Sequence, residues 1–255
     1  MANLRLLVVC PSFNEEKHIG PLLKQIKKHL NLNDELIVIN DGSTDATLDE
    51  AMKENVRVIS HSRNLGKGEA IKTGFKYFSK SKHDVILFMD GDGQHNPLDI
   101  KKFRNCFVKE QADVVIASRF RTQAWIHNMP FSRKLSNMLS RFGLWILFNG
   151  FYVEDPQNGF RAYNREVANH LQFYSNGYEA ETEILIDAYL KGFDFKVVSI
   201  ESIYHGHERT SKFSLLMDTW KIPGIMIKGF FKFKPWTLRS INSKLQYRAS
   251  KYKIH

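Results

Sequence analysis

Cysteine is scarce, with two in 255 residues. That is too few to staple a chain of this length, which excludes a disulfide scaffold and points to a reducing compartment. Cys10 ends an apolar run and Cys106 sits in a helical pattern, so both read as small core residues. Long apolar runs are missing too. Leu144–Phe148 and fragments of Pro223–Phe233 fall far below the roughly 18–20 residues of a membrane-spanning helix. Near the N-terminus, Leu6–Cys10 runs at once into Pro11, Glu15 and Glu16, short of the roughly 7–15 apolar residues of a secretory signal. A cytoplasmic protein is the expectation. Fifteen Gly and seven Pro are ordinary and exclude collagen-like and low-complexity chains. No internal repeat is present. No Gly-x-Gly-x-x-Gly follows the first strand and no Gly-x-x-x-x-Gly-Lys-Ser/Thr occurs, which disfavours dinucleotide oxidoreductases and P-loop NTPases.

What is there suits one large α/β domain or two small ones. The formal charge is +10, and it is unevenly placed. Residues 1–208 balance 26 basic against 26 acidic groups, whereas 209–255 carry eleven Lys or Arg and one acid, Asp218. The chain reads as a neutral domain, 1–208, followed by a basic segment, 209–255, that attracts an anionic surface. In that segment Phe213, Trp220, Ile225, Phe230 and Phe231 alternate with Lys212, Lys221, Lys228 and Lys232. Bulky apolar groups beside lysines suit an amphipathic helix lying in a membrane interface, with Pro223–Gly224 dividing it in two. The alternative is that these residues pack back onto the domain. No nucleic-acid motif accompanies the basic residues, so nucleic acid is not expected as a partner.

Apolar runs of strand length occur at Leu4–Cys10, Leu36–Ile39, Val56–Ser60, Val85–Met89 and Val114–Ala117. Between them lie helical patterns, one N-capped by Asn14 and running to about Leu30, another over Gly66–Ser79. Continuous apolar strands alternating with helices predict a parallel sheet covered on both faces. In such sheets ligands bind beyond the carboxyl ends of the strands. The polar turns follow that rule: Pro11–Glu15 after the first strand, Asn40–Asp45 after the second and Asp90–His95 after the fourth. Three polar turns on one edge make one site.

Asp90-Gly91-Asp92-Gly93-Gln94 offers two carboxylates and an amide oxygen on alternate residues, which can converge on one hard cation such as Mg²⁺ or Mn²⁺. An acidic turn alone is common and would not carry that reading. Its place after a buried strand does. Asp41 and Glu15 could hydrogen-bond the base or ribose of a nucleotide, although Asp41–Asp45 also suits turn formation, with Asp45 or Thr44 capping the next helix. Between Arg119 and Phe148 there are five basic residues, Arg119, Arg121, Arg133, Lys134 and Arg141, and no acid. Arginine forks suit a phosphate, and the interleaved Trp125, Phe131, Leu135, Met138, Phe142 and Trp145 suit an isoprenoid chain. An ordinary packed helix with solvated charges is the plainer alternative.

Pro11-Ser12-Phe13-Asn14-Glu15, Asp41-Gly42-Ser43-Thr44-Asp45, Asn64-Leu65-Gly66-Lys67-Gly68 and Asp90-Gly91-Asp92-Gly93-Gln94-His95 resemble, in order, the signature of family 2 glycosyltransferases. Ala117-Ser118-Arg119-Phe120 and Asn158-Gly159-Phe160-Arg161 look like the branch that contains dolichyl-phosphate mannose synthases and polyprenyl-phosphate glycosyltransferases. The resemblance covers about Leu4 to Lys212. It implies a GT-A fold, Rossmann-like and nucleotide-binding, with a mostly parallel sheet and C-terminal amphipathic helices. It implies the donor nucleotide, GDP- or UDP-linked, on Pro11, Phe13, Glu15, Asp41 and Lys67. It also implies Mg²⁺ or Mn²⁺ on Asp90, Asp92 and Gln94, and the acceptor phosphate on Arg119 and Arg133. Arg209 and the Ser211-Lys212 pair match a late phosphate contact, and Tyr204 a late tyrosine. Asp155 and the Glu179–Glu183 segment fall beside the acceptor pocket, where Asp155, Glu181 and Glu183 are expected to order the arginines. Many relatives continue into transmembrane helices, a place taken here by the basic segment.

The implied reaction is an inverting, metal-dependent transfer of a sugar from a nucleotide to a polyprenyl phosphate, dolichyl or undecaprenyl, at the cytoplasmic membrane face. Asp92, Arg119 and Arg133 are its expected catalytic residues. A phosphate acceptor is already anionic and needs no strong base. Two alternatives stay open: the same fold acting on a sugar hydroxyl, in polysaccharide or glycolipid synthesis, and a catalytically silent membrane-binding module.

Overall fold

Residues that alternate along a strand point to opposite faces, and when both faces are apolar the strand must be covered on both. Leu6 to Cys10 are all fully buried, which places this strand at the centre of a sheet. The computed structural model describes residues 4–120 and 131–201, with residues 224 and 227. It contains strands β1 (Leu6–Ser12), β2 (Glu35–Asn40), β3 (Arg57–Ser60), β4 (Val85–Phe88), β5 (Val114–Ser118), β6 (Arg161–Asn164) and β7 (Phe195–Ser199). The helices are α1 (Ile19–Lys27), α2 (Thr47–Lys53), α3 (Lys67–Lys80), α4 (Ile100–Lys109), α5 (Phe131–Leu147), α6 (Arg165–His170) and α7 (Glu179–Leu190).

The strands form one sheet in the order β3-β2-β1-β4-β6-β5-β7. All neighbours are parallel except β6, which runs antiparallel to both β4 and β5. The two faces follow from strand alternation. Leu7 and Val9, with Ile37, Ile39 and Phe88, pack on Ala70, Ile71 and Phe78 of α3 and Ile184 of α7. Leu6, Val8 and Cys10, with Val38 and Leu87, pack on Ile19, Leu23 and Ile26 of α1 and Phe103 and Cys106 of α4. Cys10 and Cys106 are free and buried, and burial pushes the Cys106 thiol up to about 11. They are core residues, as the sequence suggested.

Two local readings need correction. The first strand does not stop at Cys10. Pro11 and Ser12 continue it, paired with Ile39 and Asn40. Proline is tolerated because its carbonyl points to the β4 side, accepting from Gly91 N–H at 3.2 Å, and β4 has already ended at Phe88, so no ladder partner needs the missing N–H. Nor does Asn14 cap a helix. It sits at φ 53°, and its side chain instead accepts from Thr44 N–H at 2.8 Å. A turn follows, and α1 begins only at Ile19, with no side-chain cap. Asp45 accepts from the Thr47 amide at 3.0 Å and from its hydroxyl at 2.5 Å at the start of α2.

Candidate active site

The parallel strands deliver their polar turns to one edge, and hydrogen bonds between turns fix them there. Asn14 N–H donates to Ser43 Oγ at 3.0 Å, Glu15 N–H to Thr47 Oγ1 at 2.6 Å and Glu16 N–H to Asp45 Oδ2 at 3.2 Å. The Glu15 carboxylate lies 3.2 Å from His18 Nδ1. Pro11 lines a cavity at this edge together with Lys67, Asp90, Gly159 and Glu181. Phe13, beside it in sequence, is half-buried.

Asp41 is buried at the end of β2 and turned inward. Its Oδ1 accepts from Leu65 N–H at 3.0 Å and meets His61 Nδ1 at 2.7 Å, and its Oδ2 accepts from Gly66 N–H at 2.9 Å. His61 Nε2 in turn meets Thr73 Oγ1 at 2.9 Å. Asp41 therefore holds the loop that leads into α3, and so sets where Lys67 begins that helix. Gly66, at φ 98°, lies where a Cβ would meet the Asn176 carbonyl oxygen at 2.4 Å, which admits glycine alone.

Lys67 is the electrostatic centre of the cavity. Its Nζ lies 2.8 Å from Asp90 Oδ1 and 2.9 Å from Glu181 Oε1, and 5.5 Å from the centre of the Tyr178 ring. Burial alone would lower the Lys67 ammonium, but the Asp90 and Glu181 carboxylates outweigh it and hold it charged well above the usual lysine range. Burial likewise favours a neutral Asp90. The charge of Lys67, with a contribution from His95, overcomes this and keeps the carboxylate ionised well below its usual range. Asp92 is the reverse case, pushed up by burial and by the neighbouring charge of Asp90. Its Oδ1 accepts from Gln94 N–H at 3.0 Å.

Two carboxylates whose charges penalise each other, with an amide side chain two residues on, are a donor set of hard oxygens, and a divalent cation would relieve the penalty. Asp90, Asp92 and Gln94 fit such an ion. Among the described residues no group of three His, Cys, Asp or Glu closes around one point, so water or a ligand's oxygens would complete its shell, as is usual for Mg²⁺. Gly159 closes the wall: a Cβ there would sit 2.5 Å from Asp90 Oδ2 and 2.8 Å from Lys67 Nζ.

A second charged pair lies at the end of β5. Asp155 is fully buried, and Arg119 clamps it with Nε to Oδ2 at 2.7 Å and Nη2 to Oδ1 at 2.9 Å. Asn137 Nδ2 and Asn158 Nδ2 also donate to Asp155, at 2.7 and 3.2 Å. Burial works against the Asp155 charge, yet Arg119 and these donors hold its carboxyl below the usual range. Asp155 thus orients Arg119. Neither of the two other acids pairs its carboxylate with an arginine among the described residues: the Glu181 carboxylate binds Lys67, and Glu183 Oε2 accepts from the Tyr174 and Ser175 amides at 3.0 and 2.9 Å. Arg133 falls in the first turn of α5 with its side chain outside the described residues, where Arg121, Trp125, Tyr204, Arg209 and Lys212 also lie.

The Glycosyl transferase family 2 profile matches residues 7–172. The chain belongs to that family. It is 31% identical over 224 residues to a Methanococcus voltae protein named UDP-N-acetylglucosamine--dolichyl-phosphate N-acetylglucosaminyltransferase, covering 80% of this chain and 88% of that one. It is 31% identical over 249 residues to the polyprenol monophosphomannose synthase of Mycolicibacterium smegmatis, covering 92% and 88%. Its fold resembles that of glucosyl-3-phosphoglycerate synthase from Mycobacterium tuberculosis, solved with Mn²⁺, UDP and phosphoglyceric acid, at TM-score 0.72 and 24% identity over 90% of this chain and 79% of that one. The chain is a glycosyltransferase with a GT-A-like α/β fold whose sheet is mostly parallel.

Within this family 2 site the residue that sequence reasoning passed over is Arg161. Only 2% exposed, it donates to the carbonyls of Asn158, Pro156 and Glu181 at 2.5, 2.6 and 2.6 Å. One guanidinium so ties the loop carrying Asp155 and Gly159 to the helix carrying Glu181. The available signal was its place in Asn158-Gly159-Phe160-Arg161. The Asp41–His61–Thr73 chain had no signal, since its members are far apart in sequence.

Proposed function

We propose that this glycosyltransferase moves a sugar from a nucleoside diphosphate to a polyprenyl phosphate, with inversion at the anomeric carbon. The observation that carries the reading is the pairing of two chemistries on one sheet edge. Asp90, at the end of β4, and Arg119, at the end of β5, are separated only by β6, hence by two strand spacings of about 4.8 Å each, or about 10 Å. One pole suits a cation-bridged diphosphate and the other a phosphate, a separation that a sugar ring between them can span. Near-full-length relatives named for dolichyl phosphate and polyprenol support the lipid acceptor.

In this mechanism Pro11, Phe13, Glu15 and Asp41 border the donor nucleotide. Asp90, Asp92 and Gln94 would hold Mg²⁺ or Mn²⁺, which when bound supplies neutralisation of the charge that grows on the leaving diphosphate. Lys67 keeps Asp90 ionised and fixed between β4 and α7. Arg119, held by Asp155, and Arg133 orient the acceptor phosphate and offset the repulsion between two anionic substrates. An acceptor phosphate oxygen forms a bond to the anomeric carbon as the bond to the diphosphate oxygen breaks, and the diphosphate departs with the electron pair. No proton is transferred, so no base is assigned. The positive charge of residues 209–255, Arg209 and Lys212 included, attracts an anionic surface on the cytoplasmic face of a membrane.

Product analysis tests the reading. Incubation with GDP- and UDP-linked sugars, Mg²⁺ or Mn²⁺ and a polyprenyl phosphate should yield an acid-labile lipid phosphosugar. An acid-stable glycoside would assign the acceptor as a hydroxyl, and no donor turnover at all would leave a silent binding module.

A further inference from the structure

An ammonium has three N–H donors and no acceptor, and Lys67 uses all three inside the site. Its Nζ meets both oxygens of Asp90, Oδ1 at 2.8 Å and Oδ2 at 2.9 Å, and Oε1 of Glu181 at 2.9 Å. The three side chains are 15%, 22% and 8% exposed, so water replaces none of these contacts fully. Both ends of the arrangement are fixed. The stem of Lys67 starts where Gly68 N–H donates to the Asn176 carbonyl at 2.6 Å, and Arg161 Nη1 holds the Glu181 carbonyl at 2.6 Å. Gly159 leaves room for the ammonium because it has no Cβ, which would lie 2.8 Å from Nζ. Between the fixed ends the flexible four-carbon stem of the lysine is the part that moves. Donor counting then links two ligands. A divalent ion on Asp90 must take at least one oxygen from the ammonium. A diphosphate oxygen gains a donor from Lys67 only once an Asp90 oxygen has been let go, because there is no fourth N–H.

We propose that Lys67 is an exchangeable counter-ion: it yields Asp90 to the divalent ion, stays on Glu181, and turns the freed donors to the diphosphate that arrives with the ion. Glu181 is then the positioning residue that retains the ammonium when Asp90 is given up. The inference rests on the proposed nucleoside diphosphate donor. A cation arriving alone leaves two donors of a buried ammonium without acceptors, each worth on the order of tenfold in affinity. A cation arriving with a diphosphate supplies oxygens for them. The site therefore discriminates against the free cation and admits the ion together with the diphosphate, so that Asp90 is released only when the donor is present. The Tyr178 ring, 5.5 Å from Nζ, gives the ammonium an aromatic face beside Glu181.

The test titrates the full chain with Mn²⁺, read by electron paramagnetic resonance, alone and with saturating UDP or GDP. In the wild type one of the two nucleotides should tighten Mn²⁺ about a hundredfold, roughly tenfold for each donor given a new acceptor. Glu181→Gln leaves the ammonium to Asp90, so Mn²⁺ by itself should bind about tenfold more weakly, with circular dichroism unchanged because the amide oxygen still accepts from Lys67. Lys67→Met should shift Mn²⁺ alone in the opposite direction and reduce the gain from nucleotide to about tenfold. Lys72→Met removes a charge from the same helix whose ammonium meets Glu69 and Asn176 instead. Acting only through a screened field, it should change Mn²⁺ affinity by about twofold at most. Glu181→Gln with wild-type affinity for Mn²⁺ alone would overturn the proposal. So would Lys72→Met matching Lys67→Met, or a nucleotide gain equal in wild type and Lys67→Met. Tightening by neither nucleotide, with the opposite shifts of Glu181→Gln and Lys67→Met intact, would sink the nucleoside diphosphate donor and leave Lys67 as the counter-ion that the cation displaces.

Discussion

Asp155→Asn separates orientation from bulk structure at the acceptor side. In the native protein the Asp155 side chain is 0% exposed and Arg119 only 9%, so water can replace neither partner when the other is changed. The substitution keeps shape and removes one charge, leaving a buried guanidinium opposite a neutral amide. Breaking a buried pair in this way costs about 3–5 kcal/mol. The lower end applies, because the asparagine oxygen still accepts one of the donors from Arg119, Asn137 and Asn158. For a chain of this size about 3 kcal/mol corresponds to a fall of roughly 6–12 °C in Tm. Acidification gives the control. The Asp155 carboxyl is depressed in the folded state, so its stabilisation is fully present above the unfolded value near about 3.9 and disappears as pH falls through the lower folded value. The gap between wild type and variant, read by thermal unfolding at pH 7 and at successively lower pH, should therefore close on the acid side. Initial rates should show a raised KM for the lipid acceptor with the donor KM little changed. A Tm within 2 °C of wild type at pH 7, or a gap that does not narrow with acid, would refute the argument that Asp155 is a paired carboxylate holding Arg119.

Asp92→Asn should abolish metal-stimulated turnover without loss of Tm, since burial and the Asp90 charge already disfavour the Asp92 carboxylate; a normal rate would remove the metal assignment. Lys67→Met leaves Asp90 and Glu181 without the ammonium between them, so Mn²⁺ should bind more tightly, by tenfold or more in electron paramagnetic resonance titration, while turnover collapses; unchanged Mn²⁺ affinity would mean that Lys67 and the ion do not share Asp90. Gly159→Ala forces a methyl to 2.5 Å from Asp90 Oδ2 and should cut kcat at least tenfold, and a variant with wild-type kcat would show that Asp90 can move freely. Deleting residues from Met217 onward, which removes nine of the eleven basic groups of 209–255, should weaken sedimentation with anionic vesicles, most clearly at low salt where those charges are least screened; binding that is insensitive to both the deletion and salt would assign that segment to packing.

The architecture was legible in the chain wherever a local pattern decided it. Continuous apolar runs at Leu6–Cys10, Leu36–Ile39 and Val85–Met89 can only be strands covered on both faces, and such strands imply a parallel sheet with ligands at its carboxyl edge. The turns Pro11–Glu15, Asn40–Asp45 and Asp90–His95 lie on that edge for the same reason. Helix α3 matched its pattern to within a residue at each end, because its apolar positions recur with helical period.

Tertiary structure decided the partners. Asp41, Asp155, Glu181 and Glu183 are alike as sequence, four acids in or beside turns. Folded, one holds the loop before Lys67, one holds Arg119, one holds Lys67 itself and one pins the backbone at Tyr174 and Ser175. The antiparallel strand β6, whose four residues carry no distinctive run, brings Gly159 and Arg161 between the Asp90 and Arg119 ends of the sheet. The direction of α5 was equally invisible: its apolar stripe would face the core of an ordinary helix, and only packing of Ser136, Asn137 and Ser140 against Gln157 and Asp155 turns that stripe outward. Periodicity is a property of neighbours along the chain, whereas a charge's partner is chosen by what the fold brings within 3 Å of it, across separations of 36 residues for Arg119 and Asp155 and 114 for Lys67 and Glu181.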